Sequence, residues 1–203
     1  MPTSRTKLVS SALRLSYFTI AWNGAVGALA LAVGLVTGSL ALAAFALNAL
    51  LDSSASVVLV WRFRKERSDP AAAEDFERRA LVFILIAMLV VALYVGFGAI
   101  RALVNGSHAD ESALGIILAS VSVLVLPWLG MRKFRVARAL PSPALRGDGV
   151  LTIAAAALAA VTLVALLATK VLGLWWADPL AALIIAVALA AEAIRAAIHH
   201  QFG

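Results

Sequence analysis

Long runs of apolar residues, separated by short polar segments, extend along the whole chain. A helix needs about 20 apolar residues to cross a hydrocarbon core of about 30 Å, because it rises about 1.5 Å per residue. Most of the runs are apolar on every face, as expected of helices that contact lipid or other helices, and the fourth run is the shortest. The pattern predicts six transmembrane helices, over 15–36, 39–61, 80–102, 114–130, 149–171 and 179–198.

The composition agrees with this interpretation. Of the 203 residues, 63% are hydrophobic and 14% are charged, whereas soluble domains contain roughly 45–50% apolar residues. The segments between the runs are too short to fold separately, so we expect an all-α polytopic membrane protein with a single domain over 1–203. The chain has no cysteine. Disulfides and thiolate ligands are therefore excluded, and any metal site must use oxygen or imidazole ligands.

The basic residues between the runs predict the orientation of the chain. Arginine and lysine are concentrated in segments 62–79 and 132–146, while the other connections nearly lack them. Since such residues accumulate on the cytoplasmic side of membranes, both termini are predicted to be cytoplasmic, in a plasma or inner membrane. The formal net charge is +6, but no basic stripe with interleaved aromatic residues is present. The charge thus indicates contact with the lipid bilayer and no binding of nucleic acid.

Segment 62–79 contains charges of both signs around Asp69 and Pro70. We interpret this segment as a solvated, charged connection between the second and third helices. A short surface helix over 71–79, capped near Asp69, is the alternative, because aspartate is favoured as an N-cap and proline in the first helical turn.

Asp52 lies deep within the second apolar run. It is about 15 Å from the end of that run at Arg62, if the run is helical. An unpaired carboxylate at this depth costs several kcal/mol or takes up a proton, so its side chain must face the bundle interior, a water-filled cavity or a partner. Asn48 precedes it by one helical turn and projects from the same face, so the two side chains can converge on one cation. The structural alternative is a protonated Asp52 that hydrogen-bonds to Asn23 or Asn48.

Two further polar residues could contribute to the same site. Asn23, within the first run, could offer a carbonyl ligand, orient Asp52, or form a simple interhelical hydrogen bond. If Ser142 caps the fifth helix and Pro143 is its first residue, Asp148 is buried about one to two turns below the membrane surface. Asp148 could then contact the cation, or it could form a salt bridge with Arg146.

Other polar residues near the ends of the runs have simpler interpretations. Asp178, directly before Pro179, is predicted to cap the sixth helix. Glu192 is expected to pair with Arg195, three residues later on the same helix. The terminal pair His199 and His200 could bind a metal weakly. The chain has no nucleophile elbow, no glycine-rich phosphate loop and no histidine cluster within a membrane span, so we expect no enzymatic activity.

Three segments of the chain resemble the cation diffusion facilitator family. The second span begins Gly-Ser-Leu-Ala-Leu at 38–42 and continues to Asn48 and Asp52, similar to the family's His/Asp-x-x-x-Asp ligand pair. The segment Pro-Ala-Leu-Arg-Gly-Asp at 143–148 is similar to the family's lead-in to the fifth helix, and Trp-Trp-Ala-Asp-Pro-Leu at 175–180 to the start of its sixth. Six crossings with both termini inside are also the topology of that family.

The resemblance implies a transporter that exports zinc and related divalent cations by alternating access, in exchange for protons, and often as a homodimer. It implies Asp52 and Asn48 as metal ligands, with weaker contributions from Asp148 and Asn23, and no permanently bound cofactor. The transported cation would be zinc or, since the site is rich in oxygen, manganese or another hard cation.

The sequence departs from the family pattern in two respects. Leu151 and Ala155 stand where the fifth helix of the family carries its second ligand pair. The chain also ends at Gly203, so we expect no cytosolic C-terminal domain, as in the short branch of the family similar to transmembrane protein 163. Two hypotheses follow, cation export and a transport-inactive membrane scaffold or partner subunit. A shared ion would require the carboxylates of Asp52 and Asp148 to lie within about 6–7 Å of each other.

Overall fold

The structure, a computed structural model, describes residues 4–65, 70–107, 109–110, 112–140 and 143–201. Within these ranges the chain forms helices joined by short connections, and no strand is present. Each helix contains a stretch that is long and apolar enough to cross a membrane. The predicted all-α, six-helix membrane architecture is thereby confirmed. The helices of the described ranges are α1 (Ser4–Thr37), α2 (Leu40–Lys65), α3 (Pro70–Asn105), α4 (Ala113–Ala139), α5 (Pro143–Leu172) and α6 (Ala177–Gln201).

The segment before the third apolar run is helical and continuous with that run. α3 begins at Pro70 and continues without interruption to Asn105. The residues that follow Pro70 are mostly alanine, glutamate and arginine, which favour helix, and no glycine or proline interrupts them before the apolar run begins. The helix predicted as the alternative over 71–79 is therefore present, but it is the first part of α3 and not a separate surface helix. The cap expected near Asp69 lies outside the described residues.

α4 extends well past Gly130, where the predicted fourth span ends. The hydroxyl of Ser112 caps its N-terminus by accepting a hydrogen bond from the backbone N–H of Gly115 at 2.9 Å. The arginine and lysine residues after Gly130 end the apolar run but do not end the helix, because both residue types favour helix. The helix therefore carries Lys133 into the packed bundle, while Arg132 and Arg135 stay exposed on its outer side.

The helices pack as neighbouring pairs, α1 with α2, α4 with α5, and α3 with α6. α2 occupies the centre, since it contacts α1, α3, α5 and α6. In its apolar stretch 56% of the residues are buried, against 28% for α3. The predicted tight turn between α1 and α2 is present at Gly38, whose φ of 70° lies in the left-handed region that glycine adopts without strain.

Two apolar clusters fill the interior on either side of α2. One joins α2 to α3, α5 and α6, and the other joins it to α1, α4 and α5. The outer surface is also apolar. On α3, for example, Phe83, Leu93 and Phe97 are 73%, 74% and 72% exposed, respectively. An apolar interior combined with an apolar exterior is the arrangement expected of helices that are surrounded by lipid.

Asp178 caps a helix other than the predicted one. It lies in the first turn of α6, and its carboxylate accepts hydrogen bonds from the hydroxyl of Ser39 at 2.5 Å and from the backbone N–H of Leu40 at 2.8 Å. The backbone N–H of Ala41 is 3.4 Å away. The donors therefore belong to the N-terminus of α2, whose unpaired N–H groups attract a negative charge. The prediction that Asp178 caps α6 was wrong, because the packing of α6 on α2 offers it these donors instead.

Candidate functional site

A line of buried polar residues follows one face of α2. Asn48, Asp52 and Ser56 are spaced four residues apart and are 7%, 5% and 0% exposed, respectively. Residues four apart lie above one another on a helix, so the line is about two turns long. α2 packs closely against α1, which contributes the buried side chains of Thr19 and Asn23. The polar face is thus directed into the bundle, as predicted for a helix with an acidic residue in its centre.

Asp52 is held at one carboxylate oxygen only. The side-chain amide Nδ2 of Asn23 donates a hydrogen bond to Oδ2 of Asp52 at 2.5 Å. The other oxygen, Oδ1, is buried and has no hydrogen-bond partner among the described residues. The interhelical hydrogen bond considered for Asn23 is therefore present, and it joins α1 to α2. Asp52 therefore has one oxygen held by the neighbouring helix and one without a hydrogen-bond partner among the described residues.

Asp148, on α5, reaches the same polar face through Ser56. The hydroxyl of Ser56 donates to Oδ1 of Asp148 at 2.9 Å, and Ser56 is one helical turn from Asp52. Asp148 is 5% exposed, and α5 begins at Pro143 as predicted. The proposed cap Ser142 lies outside the described residues.

The counter-charge of Asp148 comes from α4. Nζ of Lys133 lies 2.7 Å from Oδ2 of Asp148 and donates a hydrogen bond to the hydroxyl of Thr152 at 2.9 Å. That hydroxyl in turn donates to the backbone carbonyl of Asp148 at 2.9 Å. Arg146, the partner considered from the sequence, is exposed. Arg146 is only two positions from Asp148 in the chain, but residues two apart on a helix do not face each other. The pair is formed instead with a residue on the neighbouring helix.

Lys133 is a charged residue of this polar region that the sequence did not lead us to expect, because its position among arginines suggested a surface role. It is fully buried, with 0% of its side chain exposed. A signal for this burial exists in the sequence. Leu126, Leu129 and Ala137 recur at the spacing of one helix face, and Lys133 falls on that face, whereas Arg132 does not. Reading α4 as a helix that continues beyond Gly130 would have placed Lys133 inside the bundle.

The charged groups of four helices act on one another in this region. Lys133, Asp148 and Glu192 all interact electrostatically with Asp52. Glu192, on α6, also interacts with Arg195, consistent with the predicted pairing. Charges attract and repel strongly where water is excluded, so these residues cannot be treated as independent. When Asp52 and Asp148 are both ionised, they carry one more negative charge than Lys133 balances, and this excess favours a cation in the polar interior.

Leu151 and Ala155 stand at the α5 positions where the family carries its second ligand pair, and no polar side chain replaces those ligands there. Ala155 is 1% exposed and packs in an apolar cluster with Leu126 and Ala156, while Leu151 is partly buried. Among the described residues, no group of three or more histidine, cysteine, aspartate and glutamate side chains could hold a metal ion. The side chains of His199 and His200 lie outside the described residues. A cation bound here would therefore depend on few carboxylates and on neutral oxygen ligands.

Comparison with protein families gives one match. Residues 16–199 match the family model described as the cation efflux transmembrane domain. No curated protein matches the chain. The matched range includes α2 to α5, most of α1 and α6, and every residue of the polar face.

Proposed function

This chain belongs to the cation efflux family of membrane cation transporters, and on that premise we propose that it exports a divalent cation such as zinc by alternating access. One observation carries the proposal. Asp52 is buried at the centre of α2, with one oxygen fixed by Asn23 and the other without a partner among the described residues. A half-satisfied carboxylate inside a membrane protein is costly unless an ion or a proton completes it.

The ligands of the cation would all be oxygen atoms or water. We assign Asp52 as the central ligand and Asn48, one turn before it on the same face of α2, as a second ligand. Asp148 would be a third ligand, since it is hydrogen-bonded to Ser56, one turn after Asp52 on that face. Asn23 supports the site by orienting Asp52. Carboxylates and amide carbonyls suit hard cations, so such a site would accept manganese more readily, relative to zinc, than a site with histidine or cysteine would.

Proton exchange, the dimer and the orientation are further parts of the proposal. A carboxylate that releases its cation into a low-dielectric interior needs a proton or another positive charge to replace it. Proton uptake by Asp52 would provide this replacement and would couple cation export to a proton gradient. The family resemblance suggests a homodimer. The basic residues on the side of the termini suggest that this side is cytoplasmic, in a plasma or inner membrane.

A flux assay tests the assignment of Asp52. Purified protein in liposomes, with a proton gradient imposed, should transport zinc or manganese, and Asp52→Ala should lower the initial rate by more than about tenfold. This factor corresponds to the loss of a charged interaction of about 1.5–3 kcal/mol. Asp110→Ala is the matched control, because Asp110 is exposed in the connection before α4 and should be dispensable.

The result that would contradict the proposal is a rate for Asp52→Ala equal to that of the parent protein. Proton coupling is tested in the same liposomes. Removing the proton gradient should slow uptake of the cation, and the pH inside the liposomes should change only when the cation is present. A rate of cation uptake that is the same with and without the proton gradient would show that protons are not exchanged.

A transport-inactive scaffold is the second candidate, and the Lys133–Asp148 pair favours it. An ammonium group that permanently neutralises Asp148, together with apolar residues at 151 and 155, would leave Asp52 without a second acidic ligand. This candidate predicts no flux with any divalent cation. It also predicts that Asp52→Asn is tolerated, since an amide can keep the interhelical hydrogen bond while losing the charge.

A further inference from the structure

Lys133 places a positive charge directly on a candidate ligand of the cation. Its Nζ is 2.7 Å from Oδ2 of Asp148, the oxygen that does not bond to Ser56. Thr152 accepts a second contact from the same nitrogen at 2.9 Å. Oδ1 of Asp148 thus has a hydrogen bond and its Oδ2 an ion pair, whereas Oδ1 of Asp52 has no hydrogen-bond partner among the described residues. The two acids of the site thus differ. Asp148 is paired with the ammonium of Lys133, whereas Asp52 keeps one oxygen without a hydrogen-bond partner among the described residues.

Stability alone is a poor explanation for this arrangement. Removing two charges from water costs about as much as their attraction returns, so a buried ion pair stabilises a fold little compared with apolar side chains of similar size. The positions around Lys133 on its helix face are already apolar, among them Leu126, Leu129 and Ala137. A lysine in this setting instead controls what Asp148 can bind, because its ammonium and a metal ion require the same carboxylate oxygen.

We propose that Lys133 determines the affinity and selectivity of the cation site, by acting as a tethered cation that the transported ion must displace from Asp148. The inference rests on the proposed function and specifies how that site is regulated. With Lys133 in place and both acids ionised, Asp52, Asp148 and Lys133 sum to one negative charge. Once Lys133 has moved away, a divalent ion meets two carboxylates, and its charge is fully balanced.

The charge of Lys133, and not its shape, is what the proposal requires. Lys133→Met keeps most of the length of the side chain and removes the competing charge. The dissociation constant for Mn²⁺ or Zn²⁺ should therefore fall by about tenfold or more, and the preference for divalent over monovalent ions should increase. Lys133→Arg keeps the charge and should bind within about threefold of the parent protein. Lys170→Met, an exposed lysine in the last turn of α5, is the matched control and should leave the affinity unchanged.

The experiment is an equilibrium titration of each purified variant in lipid nanodiscs with Mn²⁺ and with Zn²⁺. Thermal unfolding and size-exclusion chromatography report whether each variant is folded. If Lys133→Met is folded and binds with the affinity of the parent protein or more weakly, the proposal is overturned. If Asp52→Ala binds the cation as well as the parent does, the proposed function fails instead, so the two failures are distinguishable.

A pair of variants keeps the test valid if Lys133→Met does not fold. Asp148→Asn leaves the ammonium of Lys133 unpaired, and Asp52 is the acid with which that ammonium also interacts. Cation binding to Asp148→Asn should therefore be very weak. The double variant Lys133→Met with Asp148→Asn has neither charge and should bind several-fold more tightly than Asp148→Asn alone. Equal affinities of these two variants would also overturn the proposal.

Discussion

At the residue scale, three side chains, those of Asn23, Ser56 and Lys133, are the partners of the oxygens of two buried acids. Asn23 takes one oxygen of Asp52, and Lys133 takes one oxygen of Asp148. Neither partner lies on the helix of the acid that it contacts, so each bond also joins two helices. Hydrogen bonds to charged groups are worth about 1.5–3 kcal/mol, and removing one partner leaves the other with its full desolvation cost. Small changes at these positions should thus affect both the fold and the site.

Asn23 offers a direct test of how Asp52 is positioned. Asn23→Ala removes the donor at 2.5 Å from Oδ2, so that neither oxygen of the carboxylate keeps a hydrogen-bond partner among the described residues. We expect a loss of about 1–3 kcal/mol in the free energy of unfolding, measured by thermal or denaturant unfolding in detergent. Cation flux in liposomes should fall as well, because Asp52 loses its fixed orientation.

The control for this variant is Asn105→Ala, at the exposed C-terminal end of α3. That substitution should change neither stability nor flux by a measurable amount. An Asn23→Ala protein with the stability and flux of the parent would show that the hydrogen bond does not position Asp52.

At the scale of elements, α2 is positioned from both sides. α1 approaches it closely, since a Cβ added to Gly34 would lie 2.9 Å from the backbone nitrogen of Ala43. α6 is attached to the N-terminus of α2 by Asp178, and Ser39 completes that cap by accepting a hydrogen bond from the N–H of Leu42 at 3.1 Å. The ends of α2 and α6 joined by this bond should therefore move together in any change of conformation during transport.

The cap formed by Asp178 should make a measurable contribution to the stability of the protein. Asp178→Ala removes the acceptor for the Ser39 hydroxyl and for the Leu40 N–H at a site that is 2% exposed. We expect the free energy of unfolding to fall by about 2–3 kcal/mol, more than for an ordinary N-cap, because the lost acceptor is charged and buried. Asp110→Ala, at an exposed position, should change it by less than about 0.5 kcal/mol. Similar stabilities for the two variants would show that Asp178 does not hold α2 to α6.

At the scale of the whole molecule, the distribution of charge predicts how the bundle sits in the membrane. The exposed basic residues Arg64, Arg132 and Arg138 lie toward the side of the termini, while the connection between α3 and α4 carries Asp110. Basic residues beside membrane spans are retained in the cytoplasm, so the side with the termini is predicted to be cytoplasmic. The proposed direction of export depends on this orientation.

Thiol labelling can establish the orientation, because the chain has no cysteine of its own. Ser107→Cys, in the connection after α3, should react with a membrane-impermeant thiol reagent in intact cells. Arg138→Cys, near the opposite end of α4, should react only after the cells are permeabilised. Both residues are exposed, so access from each side is the main difference between them. The reverse pattern of labelling would place the termini outside and contradict the predicted orientation.

The sequence by itself determined the membrane class, the six helices of the described ranges and the buried position of Asp52. Each of these follows from the order of apolar and polar residues along one helix, and the cost of burying backbone groups or charges in lipid acts on each helix separately. The Gly-Ser turn before α2 was predictable for the same reason, since it depends on neighbouring residues in the chain.

Only the tertiary structure decided which residues the buried acids contact. Asp178 caps α2 instead of α6, Asp148 pairs with Lys133 instead of Arg146, and Asn23 holds Asp52. Each of these bonds joins two helices, and its geometry depends on the rotation and depth of both. When helices are apolar on nearly every face, the pattern of hydrophobicity along the sequence does not determine their rotation or their depth in the membrane. The state of the cation site is therefore a property of the packed bundle.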